Sequence, residues 1–431
     1  MQSRYKVFCF LLIAISIGVS GQNYSNNPYT RFAIGDLINT GFSYNRSMGG
    51  SSIALRPSNQ VNYLNPASYT SQDTLSFLFH AGLNGRISYL STMEEKDHSN
   101  NVNIDYIAIG FPITSWWKFS VGLVPYNRVQ YFFRDYKESL DEIAVEYKGS
   151  GGYNEFYFGS SFQFLKFVSV GMNAGYLFGD LKRIRSINVP DEIVASTKIT
   201  EDFIASDFHY RLGLQVYPSF ISANEHKHQF IFGAVYDIGT DIKINYESMT
   251  NRNFIGTNYT TVDTFNIISD STTYMKLPSK FGVGLTYNYA DRFMVTAEYS
   301  QQNFSNGIGL PLIVKLTNYT SYRFGIEYIP KPMSDRARAK YYERIHYRIG
   351  GHYTQTYLVM ADQNIDDYGF SIGIGLPWRN SQKLYTNTTF NISYEFGKRG
   401  TTDFGLINEY YHNFTFGVTL HDYWFLKPKY D

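Results

Sequence analysis

Residues 75–89 read LSFLFHAGLNGRISY, and apolar residues alternate with polar or small ones through this stretch. The odd-numbered positions are mostly apolar, namely Leu75, Phe77, Phe79, Ala81, Leu83, Ile87 and Tyr89. The even-numbered positions include Ser76, His80, Gly82, Asn84 and Arg86. Successive side chains of a β-strand point to opposite faces, so a period of two predicts a strand with one apolar face.

The same alternation recurs along the rest of the chain. With strand spacing as the template, about fourteen segments follow it. They are residues 75–89, 107–113, 117–123, 156–164, 168–178, 208–216, 230–238, 281–287, 293–299, 322–328, 345–353, 368–376, 390–396 and 414–420.

The composition favours strands and excludes two classes of protein. Of 431 residues, 18% are aromatic and 17% are charged, and tyrosine and phenylalanine favour strands. The longest apolar stretch, Val7–Ile15, is shorter than the roughly 20 residues of a transmembrane helix, which excludes a helical membrane protein. The net charge of +1, without a basic block, argues against a nucleic-acid binder.

The links between segments help to choose between a soluble sandwich or propeller and a membrane barrel. Short links at Thr114-Ser115 and Leu165-Lys166 alternate with long polar ones at Tyr131–Gly152, Asp180–Ser206 and Asn245–Tyr274. Membrane barrels have short periplasmic turns and long external loops, with the apolar strand face toward lipid. No blade motif recurs at a fixed spacing, which disfavours a propeller. We therefore predict an all-β fold, a transmembrane antiparallel β-barrel of about 14 strands in the lipid of the bacterial outer membrane.

Segments outside this rhythm give the domain organisation. Residues 1–21 have the charged start, apolar middle and small-residue end of a signal peptide. The only cysteine, Cys9, lies within it, so disulfides and thiol chemistry are excluded from the mature chain. The barrel is predicted to span residues 74–425, and residues 426–431 would form a periplasmic tail. Residues 22–73 are rich in Asn, Gly and Ser. They would form either a luminal plug (hatch) or a periplasmic tail. We favour the plug because a wide barrel has room for one.

Four features together resemble a known family. Arg46-Ser47-Met48-Gly49-Gly50, followed by Asn65-Pro66-Ala67, is similar to a hatch motif. Leu277–Gly284, Tyr322–Tyr328 and the strand count complete the resemblance, which spans nearly the whole mature chain. The family is the FadL/TodX family of outer-membrane hydrophobic-compound transporters, and the sequence looks most like its Bacteroidetes branch.

The resemblance implies a passive outer-membrane transporter or channel for hydrophobic molecules such as long-chain fatty acids, without a cofactor. In that family, ligands leave sideways through a gap in the wall beside a distorted third strand. Pro125 interrupts the third segment here, and proline cannot donate to a strand ladder. Pro125 is thus a candidate for a wall gap, although it could simply end the strand.

Several charged residues are predicted to face the lumen, because Arg or Lys on the lipid face costs about 2–4 kcal/mol near the midplane. This candidate luminal polar network consists of Glu298, Arg323, Glu327, Arg348 and Glu395. Neighbouring strands would bring Glu298, Arg323 and Arg348 within pairing reach. The network would either hold the hatch through ion pairs or form a path for carboxylate ligands or ions, and the first is favoured because buried charges need partners.

The sequence contains no motif that indicates an enzyme. It has neither a Gly-x-Ser-x-Gly nucleophile motif nor a phosphate loop. Glu225-His226-Lys227-His228 has the nearest approach to metal-ligand spacing, but a solvated turn explains it, so no metal is predicted. The alternative function is a scaffold subunit of a larger outer-membrane assembly or secretion complex, contacting other outer-membrane or periplasmic proteins. The polar loops and the basic link Pro330–Glu343 motivate it.

Overall fold

Antiparallel strands make up most of the described chain. A computed structural model describes residues 27–136, 143–188, 196–223, 225–254, 260–305, 307–309, 315–332, 339–379 and 387–423. The expected signal peptide (1–21) and tail (426–431) lie outside these ranges. Within them, no helix has the length and apolar character needed to cross a membrane.

The strands are β1 (Asp36–Leu37), β2 (Ser76–Ser91), β3 (Lys96–Pro112), β4 (Trp117–Pro125), β5 (Asn127–Arg128), β6 (Tyr131–Tyr136), β7 (Ala144–Leu165), β8 (Val168–Asn188), β9 (Ser196–Val216), β10 (Ser219–Ile221), β11 (Lys227–Asp237), β12 (Thr240–Phe254), β13 (Thr260–Leu277), β14 (Lys280–Tyr289), β15 (Phe293–Asn303), β16 (Lys315–Leu316), β17 (Asn318–Tyr328), β18 (His346–Met360), β19 (Gln363–Arg379), β20 (Asn387–Arg399) and β21 (Asn408–Tyr423). Short helical segments occupy Pro28–Arg31, Ser43–Arg46, Pro66–Ser71, Tyr341–Arg344 and Asp403–Gly405.

The strands close into a cylinder of fourteen wall strands, as the alternation predicts. Five wall strands consist of two segments each: β4 with β6, β9 with β10, β11 with β12, β13 with β14, and β16 with β17. The first and last strands pair from Ser76↔Tyr423 to Ser91↔Asn408, which leaves this seam without a free edge.

The alternation places apolar side chains outside and polar or small ones inside. Along β7, Phe156 and Phe158 are 48% and 50% exposed, whereas Glu155 and Tyr157 are buried. The exposed apolar face is the surface that lipid would cover.

The sequence predicted long polar links at 131–152, 180–206 and 245–274. This prediction was wrong, because most of the described residues in these ranges belong to strands. β7, β8 and β9 have 22, 21 and 21 residues, whereas about 9–11 residues cross a membrane. Outside the lipid, a strand does not need an apolar face. These strand extensions therefore lack the alternation of apolar and polar residues that identifies a strand in the sequence. The link Pro330–Glu343 likewise runs into the helical turn Tyr341–Arg344, with 333–338 outside the described ranges.

The N-terminal segment (described from 27 to 73) lies inside the cylinder. It is buried along most of its length, and its helical segments contact β4, β7, β8 and β9 as well as β19, β20 and β21. We call the end of the barrel that carries residues 113–116 and 290–292 the turn end, and the opposite end the loop end.

Candidate functional site: the barrel interior

Pairs of facing glycines leave bare patches on the inner surface of the wall. Three such pairs are Gly171–Gly213, Gly233–Gly284 and Gly325–Gly350. A Cβ atom added at Gly233 would lie 2.2 Å from the Ile53 carbonyl oxygen, and one at Gly350 would lie 2.2 Å from the Met48 carbonyl carbon. The backbone of the N-terminal segment therefore rests directly on the wall where no side chain intervenes.

Asn65-Pro66-Ala67, the predicted hatch motif, occupies one of these patches. Asn65 Oδ1 accepts from the Ala67 amide at 3.1 Å and caps the helical segment that Pro66 begins. Asn65 Nδ2 donates to the Ile53 carbonyl at 2.6 Å. A Cβ at Gly171 would meet the Pro66 carbonyl carbon at 2.5 Å. The motif thus combines a helix cap with a tight fit against the wall.

Glu298 and Arg323 lie directly opposite each other on β15 and β17, with 3.4 Å between carboxylate and guanidinium. Glu298 also accepts from the Ser52 and Ile53 amides at 2.7 and 2.8 Å. Arg323 Nη1 donates to the Gly50 carbonyl at 3.0 Å. Both charges are buried, and both bind the backbone of the N-terminal segment.

Arg348 was expected within pairing reach of Glu298, but it pairs with Glu327 instead. Its Nε donates to Glu327 at 2.5 Å, since the two residues face each other on β17 and β18. The guanidinium lies 4.5 Å from the ring centroid of Tyr44 in the N-terminal segment. Glu395 is buried apart from both pairs and accepts from Asn413 Nδ2 at 3.4 Å.

Two further ion pairs fasten the segment, and sequence reasoning missed both. Arg46 pairs with Asp105 at 2.9 Å. Arg399 pairs with Asp36 at 2.7 Å and with Asp367 at 3.0 Å. Arg46 belongs to the hatch-like motif, but its sequence gives no indication of its partner.

At the loop end the interior is filled by the chain's own apolar side chains. This loop-end core includes Tyr29 and Ile34 of the N-terminal segment together with Leu181 and Phe203 of the wall, all at most 2% exposed. The Tyr29 hydroxyl donates to the Ile407 carbonyl, and burial raises the pKa of Tyr29 to about 12, so that the phenol stays neutral.

Two cavities within the described part of the chain have charged walls. The central cavity, of about 210 Å³, is lined by residues that include Arg46, Asp105, Glu395 and Arg399. The turn-end cavity, of about 480 Å³, lies between the N-terminal segment and the wall, and Arg56 is among its lining residues.

The third wall strand is interrupted after Pro125. Up to that residue β4 pairs with β7, but its ladder with β3 covers only Ile107↔Leu123 to Pro112↔Lys118. The chain then turns inward, where β5 pairs with β1 of the N-terminal segment, and it rejoins β7 as β6. In the described chain, the part of β3 between Ile107 and the loop end therefore pairs with β2 alone.

Three solved structures share this architecture, and two of them are toluene transporters. The Ralstonia pickettii toluene transporter TbuX has a TM-score of 0.60 at 14% identity, covering 89% of this chain and 99% of its own. The Pseudomonas putida toluene transporter TodX has 0.59 at 13% identity, with coverages of 90% and 100%. A Pseudomonas aeruginosa FadL homologue has 0.56 at 11% identity, with coverages of 91% and 99%. At these identities the likeness shows the fold alone.

Comparison of the sequence with known proteins and with family models assigns the chain to a family. No curated protein matches the chain significantly. The BamG family model, in contrast, matches residues 3–431, which includes both the N-terminal segment and the whole barrel. The chain therefore belongs to the BamG family.

Proposed function

We propose that this protein is a scaffold subunit of an outer-membrane protein-assembly complex, in which the N-terminal segment acts as a permanent plug. The turn end would face the periplasm, as short turns do in membrane barrels. Membership of the BamG family supports this proposal. Under it, the barrel positions partner proteins and has no catalytic role.

The filled loop-end core is the observation that carries the proposal. A carrier of hydrophobic molecules needs an apolar pocket, commonly about 300–1,000 Å³ in volume. Here Leu181, Phe203 and their neighbours pack against the N-terminal segment in the loop-end half of the interior. The two cavities are lined with charged groups, which suit polar partners better than a fatty-acid chain.

The fastening of the segment supports a permanent plug. Arg46–Asp105 and Asp36–Arg399 join it to β3 and β20, and Glu298 and Arg323 bind its backbone from β15 and β17. Removing one partner of a buried ion pair costs about 3–5 kcal/mol, because it leaves an uncompensated charge. Moving the segment aside in a transport cycle would require both of these ion pairs to open and the backbone hydrogen bonds to Glu298 and Arg323 to break.

The test is the native mass of the protein after gentle extraction. A tagged chromosomal copy should purify as a discrete complex of several chains, including other outer-membrane or periplasmic proteins. A monomer that carries a bound apolar molecule would contradict the scaffold role.

Passive transport of hydrophobic molecules is the second candidate. It is favoured by the interruption after Pro125, next to which the β3 ladder stops. In that case Pro125 marks a wall gap, and lipid extracts of the purified protein would contain a stoichiometric fatty acid or other hydrophobic molecule.

A further inference from the structure

The turn-end cavity has an excess of positive charge, because Arg56, Lys227, Arg292 and Arg348 line it against Asp73, Asp291 and Glu327. The carboxylates already have neighbours: Glu327 pairs with Arg348 at 2.5 Å, Asp73 lies 3.5 Å from His421, and Asp291 accepts from Asn288 at 2.9 Å. Neither Arg56 nor Lys227 forms an ion pair within the described ranges.

Arg56 is held in a fixed orientation by uncharged groups only. Its Nη1 donates to the Ala67 carbonyl and to Gln215 Oε1, both at 3.2 Å. Its Nη2 donates to Thr70 Oγ1 at 2.7 Å, and the guanidinium lies 3.7 Å from the ring centroid of Tyr217. Burial lowers the pKa of Arg56 to about 10, so the group remains charged at neutral pH.

Arg56 is half-buried, and a cation whose partners are all neutral still attracts an anion. A guanidinium presents its donors in a planar fork that matches a carboxylate, and prior immobilisation reduces the entropy lost on binding. Lys227, exposed where β11 begins, supplies a second positive charge at the edge of the same cavity. An anion that enters would thus meet one fixed and one flexible cation.

The size and the other walls of the cavity point to a peptide. A volume of about 480 Å³ exceeds what one small anion fills and lies in the range of ligand pockets, about 300–1,000 Å³. Apolar Ile231 and Met294 line it beside polar Asn59 and Gln229. This mixture can accommodate both the side chains and the backbone of an extended segment.

We propose that the turn-end cavity receives an acidic peptide segment of a partner protein, with a carboxylate bound by Arg56 and Lys227. The proposal rests on the scaffold function, because that function supplies partner proteins at this end of the barrel. It adds the chemistry by which one partner is recognised.

The test uses the full-length purified chain in zwitterionic detergent and a fluorescein-labelled glutamate-rich peptide, followed by fluorescence anisotropy. The same peptide with glutamine in place of glutamate is the uncharged reference. We expect the glutamate peptide to bind at least about tenfold more tightly, and Arg56→Gln and Lys227→Gln each to weaken it about tenfold, the effect of roughly 1.4 kcal/mol. Lys331→Gln is the matched control, because Lys331 lies toward the same end but pairs with Glu343 at 3.1 Å.

Lys227→Gln keeps the test decisive if Arg56→Gln perturbs folding, because the Lys227 side chain is exposed. Equal binding of the two peptides, or unchanged binding by Lys227→Gln, would overturn the proposal. Displacement of the peptide by inorganic phosphate at equal concentration would also overturn it, since the site would then take free anions. If the native complex persists while the peptides bind equally, only the cavity assignment fails. A monomer that still prefers the glutamate peptide would support the site and remove the scaffold role.

Discussion

Replacing Gly350 by alanine should loosen the N-terminal segment while leaving the wall intact. The added Cβ would lie 2.2 Å from the Met48 carbonyl carbon and 2.3 Å from the Gly49 nitrogen. Non-bonded heavy atoms are at their best separation at about 3.5–4.0 Å. The backbone at Met48 and Gly49 therefore has to move away from β18 by roughly 1 Å or more.

Two costs follow from this displacement. Overpacking costs about 1–3 kcal/mol. The Gly49 amide, which donates to Ser371 Oγ at 2.8 Å in a buried position, would also lose its partner, at about 1–3 kcal/mol. Taking about 3 kcal/mol for the sum, local opening of the segment becomes roughly 100-fold more frequent, since 1.4 kcal/mol is a factor of ten.

The assay is amide hydrogen exchange of the peptide that covers residues 44–55, measured by mass spectrometry in detergent. Gly351→Ala is the control, because a Cβ there has only the Gly369 carbonyl oxygen as a close neighbour, at 3.3 Å. We expect exchange to accelerate roughly 100-fold in Gly350→Ala and less than threefold in Gly351→Ala. Wild-type exchange in Gly350→Ala would refute the argument that glycine is needed for this close approach.

Three further predictions concern other parts of the interior. Glu298→Gln should destabilise the docked segment by about 3–5 kcal/mol, because Arg323 loses its carboxylate; unchanged exchange of the same peptide would contradict this. Deleting residues 22–65 should open a pore, and unchanged conductance in planar bilayers would refute the plug. Leu181→Ala should lower the free energy of unfolding in urea by about 2–5 kcal/mol through a cavity in the loop-end core, whereas the exposed Ile267→Ala should change it by at most about 0.5 kcal/mol.

The wall strands could be predicted from the sequence because lipid on one side and a polar interior on the other require strict alternation. The residues of β7 between 156 and 164 show this clearly. Outside the lipid, alternation is no longer required. Lys182 of β8 and Asp202 of β9 lie in this region and form an ion pair at 3.3 Å. A polar stretch of this kind looks like a loop in sequence although it is paired as strand.

The interior was only partly accessible to sequence reasoning. The inward orientation of Glu298 and Arg323 follows from the cost of charge in lipid, and their strands are neighbours. The pairs Arg46–Asp105 and Arg399–Asp36 join residues 59 and 363 positions apart, so only the closed barrel brings them together.

Some signals were present in the sequence without being used. Glycines recur at inward positions of neighbouring segments, and their alignment into facing pairs could have indicated where a backbone rests on the wall. The roles of Asn65-Pro66-Ala67, Pro125 and the charged residues stay predictions, as does the placement in the Bacteroidetes branch.

The seam between β2 and β21 has a consequence for how the molecule is made. Ser91 and Asn408, which face each other there, are 317 positions apart. The contact surfaces of the N-terminal segment are distributed around the circumference, from β4 to β21. This segment leaves the ribosome before any wall strand, yet its binding surface is complete only when the final strand joins the first. We therefore expect the pairing of β21 with β2 to be the last step of assembly, with the sheet closing around the N-terminal segment.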